Sequence, residues 1–229
     1  NIPLENQNLL AKKLGAASDI FLPVSVENTE AKATLTIEED GHYYGYSTNS
    51  KVSEATVTVL DAHGRGIEEM TYKKMTNRYI LNLGQRKKGE VITITSKNKK
   101  DIDLTAYAFA EEPFRDLIQE LNTQPLKIST FSSTKVEGTV EVHKPGYLVL
   151  SMPYEPGWKI TVDEKTMEPQ LFEGMFLSIP MTEGTHQITL TYLPTGFIPG
   201  VIISLLSLGI FLIYCLLDMR REKLANAAQ

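Results

Sequence analysis

Cysteine is almost absent from this sequence: its 229 residues include one, Cys215, and that one lies inside a hydrophobic run. No disulfide can therefore form within the chain, and no cysteine-based metal site exists. Histidine is equally sparse. His42, His63, His143 and His186 are scattered without a spacing such as His-x-x-x-His, so no metal is expected. A basic block is also missing. The formal net charge is −5, and removing residues 218–229 leaves 20 basic and 26 acidic residues, about −6, which excludes nucleic acid as a partner. Neither a Gly-x-Ser-x-Gly elbow nor a phosphate-binding glycine loop occurs, and no cofactor is implied.

The hydrophobic run that is present lies near the C-terminus. Residues 197–217, FIPGVIISLLSLGIFLIYCLL, carry no charge. At about 1.5 Å rise per residue they are long enough to cross a bilayer core of roughly 30 Å. A buried core helix is the alternative, but such helices keep a polar stripe, and here only Ser204, Ser207 and Tyr214 interrupt the run. Residues 196–217 are thus expected to span a membrane. Arg220, Arg221 and Lys223 follow at once, which places the tail 218–229 in the cytoplasm and residues 1–195 outside. The first residue is Asn1 rather than Met, and further chain is expected upstream.

Before the run, the pattern is that of strands. Residues 3–15 read as a short helix, opened by Pro3, with Leu4, Leu9 and Leu10 near helical spacing and Gly15 at its end. Period-two alternation follows in ATLTI, ATVTVL and VITIT, with turns at 61–66 and 84–89. A second helix is predicted at 113–124, where Phe114, Leu117, Ile118 and Leu121 form an i, i+3, i+4, i+7 stripe. The order then repeats: Gly41 matches Gly146, Asp61 matches Asp163 and Gly89 matches Gly184, at offsets of 105, 102 and 95. So slow a drift indicates one plan with altered loops. The expected fold is mainly β: two tandem sandwiches of immunoglobulin or jelly-roll type, each preceded by a short helix. The expected boundaries are 1–111, 112–195, a membrane helix at 196–217 and a tail at 218–229.

Chemistry-bearing residues are few. The lone tryptophan, Trp158, follows a Pro-Gly turn in YEPGWKITVD, and with Tyr154 it is the candidate for stacking on a sugar ring. Trp158, Ile160 and Val162 share one strand face at period two, which favours a core role for the indole. Asp163 and Asp61 are expected to hold turns through local backbone amides. The pairs Glu38–Glu39, Glu68–Glu69 and Glu111–Glu112 supply paired carboxylates, but adjacent strand residues point to opposite faces, which disfavours catalysis.

Taken together, Gly157-Trp158, Val162-Asp163, Gly184-Thr185-His186 and Tyr192-Leu193-Pro194-Thr195-Gly196-Phe197, followed by the last span, resemble the C-terminal end of the YfhO family of bacterial membrane proteins. Glu164 departs from that pattern, since the family often has glycine there. The resemblance implies a polytopic protein of the glycosyltransferase C type, which moves a sugar from a polyprenyl-phosphate carrier to a cell-envelope polymer such as teichoic acid. It implies a bacterial cell-membrane location and, as partners, the lipid bilayer, an upstream membrane domain of the same protein and envelope polysaccharide. Catalytic carboxylates of such enzymes lie in early outer loops, so no catalytic residue is carried over to this chain. The rival expectation is a membrane-anchored binding or spacer module without enzymatic activity.

Overall fold

A computed structural model of the chain describes residues 3–73, 75 and 78–227, with side chains described as far as Arg220. Two compact units result, Asn1–Thr123 and Gln124–Gln229.

The first unit opens with α1 (Pro3–Lys13) and continues through β1 (Phe21–Val24), β2 (Glu27–Thr29), β3 (Lys32–Thr36), β4 (Gly41–Ser47), β5 (Ala55–Leu60), β6 (Gly66–Tyr72), β7 (Leu81–Arg86), β8 (Val91–Ser96) and β9 (Leu104–Phe109) to α2 (Glu111–Leu121). Two antiparallel sheets form, in the orders β1-β9-β4-β7 and β2-β3-β8-β5-β6. Their facing sides make one core. Leu35, Val57, Val59, Ile92 and Ile94 of one sheet meet Tyr43, Leu81, Leu83 and Leu104 of the other. The alternation in ATVTVL is what divides β5 between core and solvent, since successive side chains of a strand point to opposite faces.

Both helices differ from expectation in detail. The buried face of α1 is Leu4, Asn8 and Ala11, while Leu9 is 54% exposed. The inward polar residue explains the shift. Asn8 donates to the Phe21 carbonyl at 2.7 Å and accepts from the Ile20 and Phe21 amides at 3.0 and 2.8 Å, pinning the entry to β1. In α2 only Leu117 of the predicted stripe is buried. It packs with Ala11 and Ile20, so this helix belongs to the first unit rather than opening the second, as a boundary at 111 would have it. One residue, Ala110, separates β9 from α2, and its amide bonds the Ile20 carbonyl, which leaves the helix no slack to depart from the sandwich.

The second unit contains β10 (Lys127–Phe131), β11 (Lys135–Val142), β12 (Gly146–Pro153), β13 (Trp158–Val162), β14 (Lys165–Met167), β15 (Gln170–Phe172), β16 (Phe176–Met181), β17 (Gly184–Tyr192) and α3 (Phe197–Ala227). Its sheets run β10-β11-β17-β13-β14 and β12-β16-β15. Val136, Val140, Ile160, Ile188 and Leu190 pack against Leu177, Ile179 and Met181 between them. The repeat is now explicit. The larger sheet has the same order as β2-β3-β8-β5-β6, strand for strand, and β12-β16 corresponds to β4-β7. Gly41 and Gly146 each begin their strand, and Asp61 and Asp163 each follow theirs.

In place of a counterpart to β9, the chain enters α3. Its segment Phe197–Arg220 is 24 residues long and apolar enough to cross a membrane, with none of its hydrophobic window buried by protein. The side chains of Arg221 and Lys223, on which the expected orientation partly rests, lie outside the described residues.

Candidate functional site

The aromatic corner predicted around Trp158 lies where β13 starts and β17 ends. Strand pairing sets Trp158 opposite Tyr192, and the rings meet at 5.0 Å between centroids with a 45° tilt. Trp158 is partly buried and packs on the core of its sandwich, which is the structural role that its strand face favoured. Gly157 makes the corner possible. With φ of 127° it occupies backbone space that favours glycine, and a Cβ there would sit 2.5 Å from the Leu193 carbonyl oxygen. The Leu193 amide bonds the Gly157 carbonyl at 3.0 Å. The Tyr192 hydroxyl donates to Glu155 Oε2 at 3.0 Å, and that bond to a carboxylate raises the phenol above its ordinary pKa. Tyr154 remains 36% exposed, its amide bonded to the Met175 carbonyl. The two candidate sugar contacts thus differ in kind: Tyr154 offers a face to solvent, and Trp158 backs the corner.

At the opposite end of the same sheet, Asp163, His186 and Thr182 come together. His186 Nδ1 lies 2.7 Å from Asp163 Oδ2, and its Nε2 lies 3.0 Å from the Thr182 carbonyl oxygen and 3.4 Å from the Thr182 hydroxyl. The outline is that of a hydroxyl–imidazole–carboxylate triad, but the bonding differs. The nearer partner of Nε2 is a carbonyl, which only accepts, so when that bond is made Nε2 carries the proton and has no lone pair to draw one from the hydroxyl. The hydrogen bond to Asp163 is the main cause of a raised His186 pKa, and the same bond lowers that of Asp163. Asp163 also accepts from the Gln187 amide at 2.8 Å. It therefore ties β17 to the turn after β13, whereas Asp61 holds its own turn, accepting from the His63 and Arg65 amides at 2.9 Å each. Expectation had both aspartates acting locally. Nothing in the sequence spacing pairs Asp163 with His186; their adjacency comes from strand register.

One member of each of two acidic pairs is engaged in an ion pair. Glu68 pairs with Arg86 at 2.8 Å, a guanidinium that is itself 5% exposed, and Glu111 meets Arg115 at 3.7 Å one turn along α2. Among the described residues, no three His, Cys, Asp or Glu side chains converge to hold a metal ion.

Comparison with known proteins identifies the chain's kin. A family model described as "Bacterial membrane protein YfhO" matches residues 3–204. The protein YfhO of Bacillus subtilis (strain 168) is 27% identical over 128 residues, which is 55% of this chain and 14% of that protein's length. Among solved structures, a GH2 β-galacturonidase from Eisenbergiella tayi covers 72% of this chain and 29% of its own at 10% identity and a TM-score of 0.24. A cupin 2 conserved barrel domain protein from Leptotrichia buccalis covers 74% and 89% at 12% identity and a TM-score of 0.20. Likeness that slight carries no argument about fold or activity. The family match extends over both sandwiches and into α3, and the chain belongs to the YfhO family of bacterial membrane proteins.

Proposed function

We propose that this chain is the outer-face accessory region of a polytopic membrane glycosyltransferase that moves a sugar from a polyprenyl-phosphate carrier to a cell-envelope polymer such as teichoic acid. Its carrying observation is family membership across residues 3–204, of which two sandwiches and one apolar helix are the physical content. On this reading residues 1–195 face outward, 218–229 are cytoplasmic, and 196–217 are the last of several spans. The transfer chemistry then belongs to the upstream membrane domain. The sandwiches position the acceptor polymer or close over the membrane-level site, with Tyr154 and Trp158 as the sugar-contacting edge.

A spacer or binding module without enzymatic activity is the second reading, supported by the structural bonding of the His186 and Glu68 clusters. Both are tested in a bacterium carrying the full gene, by measuring the sugar content of the envelope polymer. Deleting the gene is expected to strip the sugar, and Tyr154→Ala to lower it. An unchanged polymer after deletion overturns the transferase. Full modification after both sandwiches are replaced by an unrelated rigid domain of equal length leaves them only the spacer role. Trp158→Ala is expected to cost about 2–3 kcal/mol of stability, below the roughly 3–5 typical of a fully buried tryptophan.

A further inference from the structure

Strand directions in the second unit place four connections at one end, the end from which α3 leaves. β17 ends there at Tyr192. Lys135 pairs with Thr191 and Phe131 with Val136, so the turn between β10 and β11 is at that end. Trp158 opposite Tyr192 brings the β12–β13 connection there, and Pro153 opposite Phe176 brings the turn between β15 and β16. Each connection carries an exposed large apolar side chain: Phe131 is 76% exposed, Met175 53%, Leu193 49% and Tyr154 36%. The far end is different. Its strand-to-strand connections consist of His143, Lys144 and Pro145, of Asp163 and Glu164, and of Thr182 and Glu183, with no large hydrophobic residue among them; Tyr147, 62% exposed, lies one residue inside β12. One end of the sandwich is apolar at its tips and the other is polar.

We propose that the apolar end rests on the lipid bilayer that α3 crosses, with Phe131, Met175 and Leu193 immersed at the boundary between headgroups and acyl chains and Tyr154 at headgroup depth, where its face stays open to sugar. Continuity with α3 chooses lipid as the occupant. Leu193 is fixed to the sandwich through Gly157, and α3 begins at Phe197, four residues on. Four residues span at most about 14 Å, so the tips cannot stand far from the hydrocarbon core, whose flanking polar layers are only about 5–8 Å thick. Phenylalanine, leucine and methionine at that depth exchange water for acyl chain, and tyrosine suits the interface itself. Polar groups nearby are compatible with the headgroup layer. The residues 132–134 carry hydroxyls rather than charges, and Glu155 holds the Tyr192 hydroxyl. The contact would fix the sandwich against the membrane instead of leaving it on a swivel.

The test uses the whole chain with α3, reconstituted into phosphatidylcholine vesicles. Phe131→Trp is made in a Trp158→Phe background, so that a single indole reports, and Glu183→Trp in the same background is the far-end control. Circular dichroism confirms that each variant keeps its strands. Lipid brominated near the top of the acyl chain is expected to quench the indole at position 131 severalfold more than that at 183, and aqueous iodide to do the reverse. Equal quenching of both by iodide, with none by brominated lipid, overturns the proposal. Protection of position 131 from both quenchers also overturns it, and assigns the surface to a protein partner instead.

Discussion

Glu164 sits in a conformation that suits another residue. Val162 pairs with Lys165, leaving Asp163 and Glu164 as the two central residues of the β13–β14 hairpin. Their φ values, 48° and 67°, are both positive. That is the signature of a type I′ turn, whose twist matches the flanking strands and whose preferred sequence is Asn-Gly or Asp-Gly. A non-glycine residue in the left-handed region costs about 1–2 kcal/mol. Glycine removes that strain but loses more backbone entropy on folding, by roughly 0.5–1 kcal/mol. Glu164→Gly should therefore stabilise the second sandwich by about 0.5–1 kcal/mol, raising its midpoint by about 2–8 °C at the size of this domain. Trp158 is the only tryptophan in the chain, so its fluorescence during thermal or urea unfolding of the micelle-bound protein reports this sandwich alone. Glu164→Val serves as the opposite perturbation, because a β-branched residue tolerates positive φ worst, and should lower the midpoint. An unchanged or lower midpoint for the glycine variant would refute the strained-turn account.

Two further outcomes follow from side chains whose partners are defined. The Asp163–His186 pair should give the second sandwich a stability plateau between about pH 3.8 and 6.5, the ordinary values of the two groups. Because the folded His186 pKa is raised, its contribution is complete below 6.5 and fades as pH rises through the folded value; because that of Asp163 is depressed, its share is lost only as pH falls through its lowered value. A pH series of unfolding midpoints checks this, and His186→Ala should flatten the alkaline limb without moving the acid unfolding of other carboxylates. In the first unit, Asn8→Leu leaves the Ile20 and Phe21 amides and one carbonyl without partners, and should cost about 2–4 kcal/mol in a thermal melt followed by circular dichroism. Hydrogen exchange at the Ile20 and Phe21 amides should accelerate with it.

Period-two alternation made the sandwiches legible, because ATVTVL and VITIT each show their buried face directly in residue type. The repeat was legible through its turn residues, since Gly41 and Gly146 begin matching strands and Asp61 and Asp163 follow matching strands. Polar residues that turn inward were not. Asn8 is one; Asn28, on the exposed strand β2, likewise makes a contact with no local signal, accepting from the Leu104 amide at 2.8 Å and donating to its carbonyl at 3.0 Å, joining β2 of one sheet to β9 of the other. These contacts span 12 to 13 and 76 residues, separations that no local pattern encodes. The stripe of α2 misled for the opposite reason. Phe114, Ile118 and Leu121 repeat helically but stay about two-fifths exposed, so periodicity described the helix without saying how much of it the sandwich covers.

The two copies diverge where the second passes into α3. In the first unit, the strand after β8 returns as β9 to cover the edge of β4, and β1 covers β9 in turn. In the second, the residues after β17 go to α3, so β12 is left as an edge strand and β15 is added on the far side of β16 instead. An open edge is a pairing hazard. The strand tempers it with Pro145 just before its start and Pro153 at its end, positions that cannot donate to another strand. The copies also differ in how the turn aspartate is used. Asp61 closes on its own loop with Arg65, whereas Asp163 reaches to β17, the strand that carries the load of the tether at its other end. His186 and Asp163 hold the polar end of β17, and Trp158, Tyr192 and Gly157 hold the apolar end. β17 is thus fixed at both ends within its sheet, five residues before α3 begins, as the proposed seating of the sandwich on the bilayer requires.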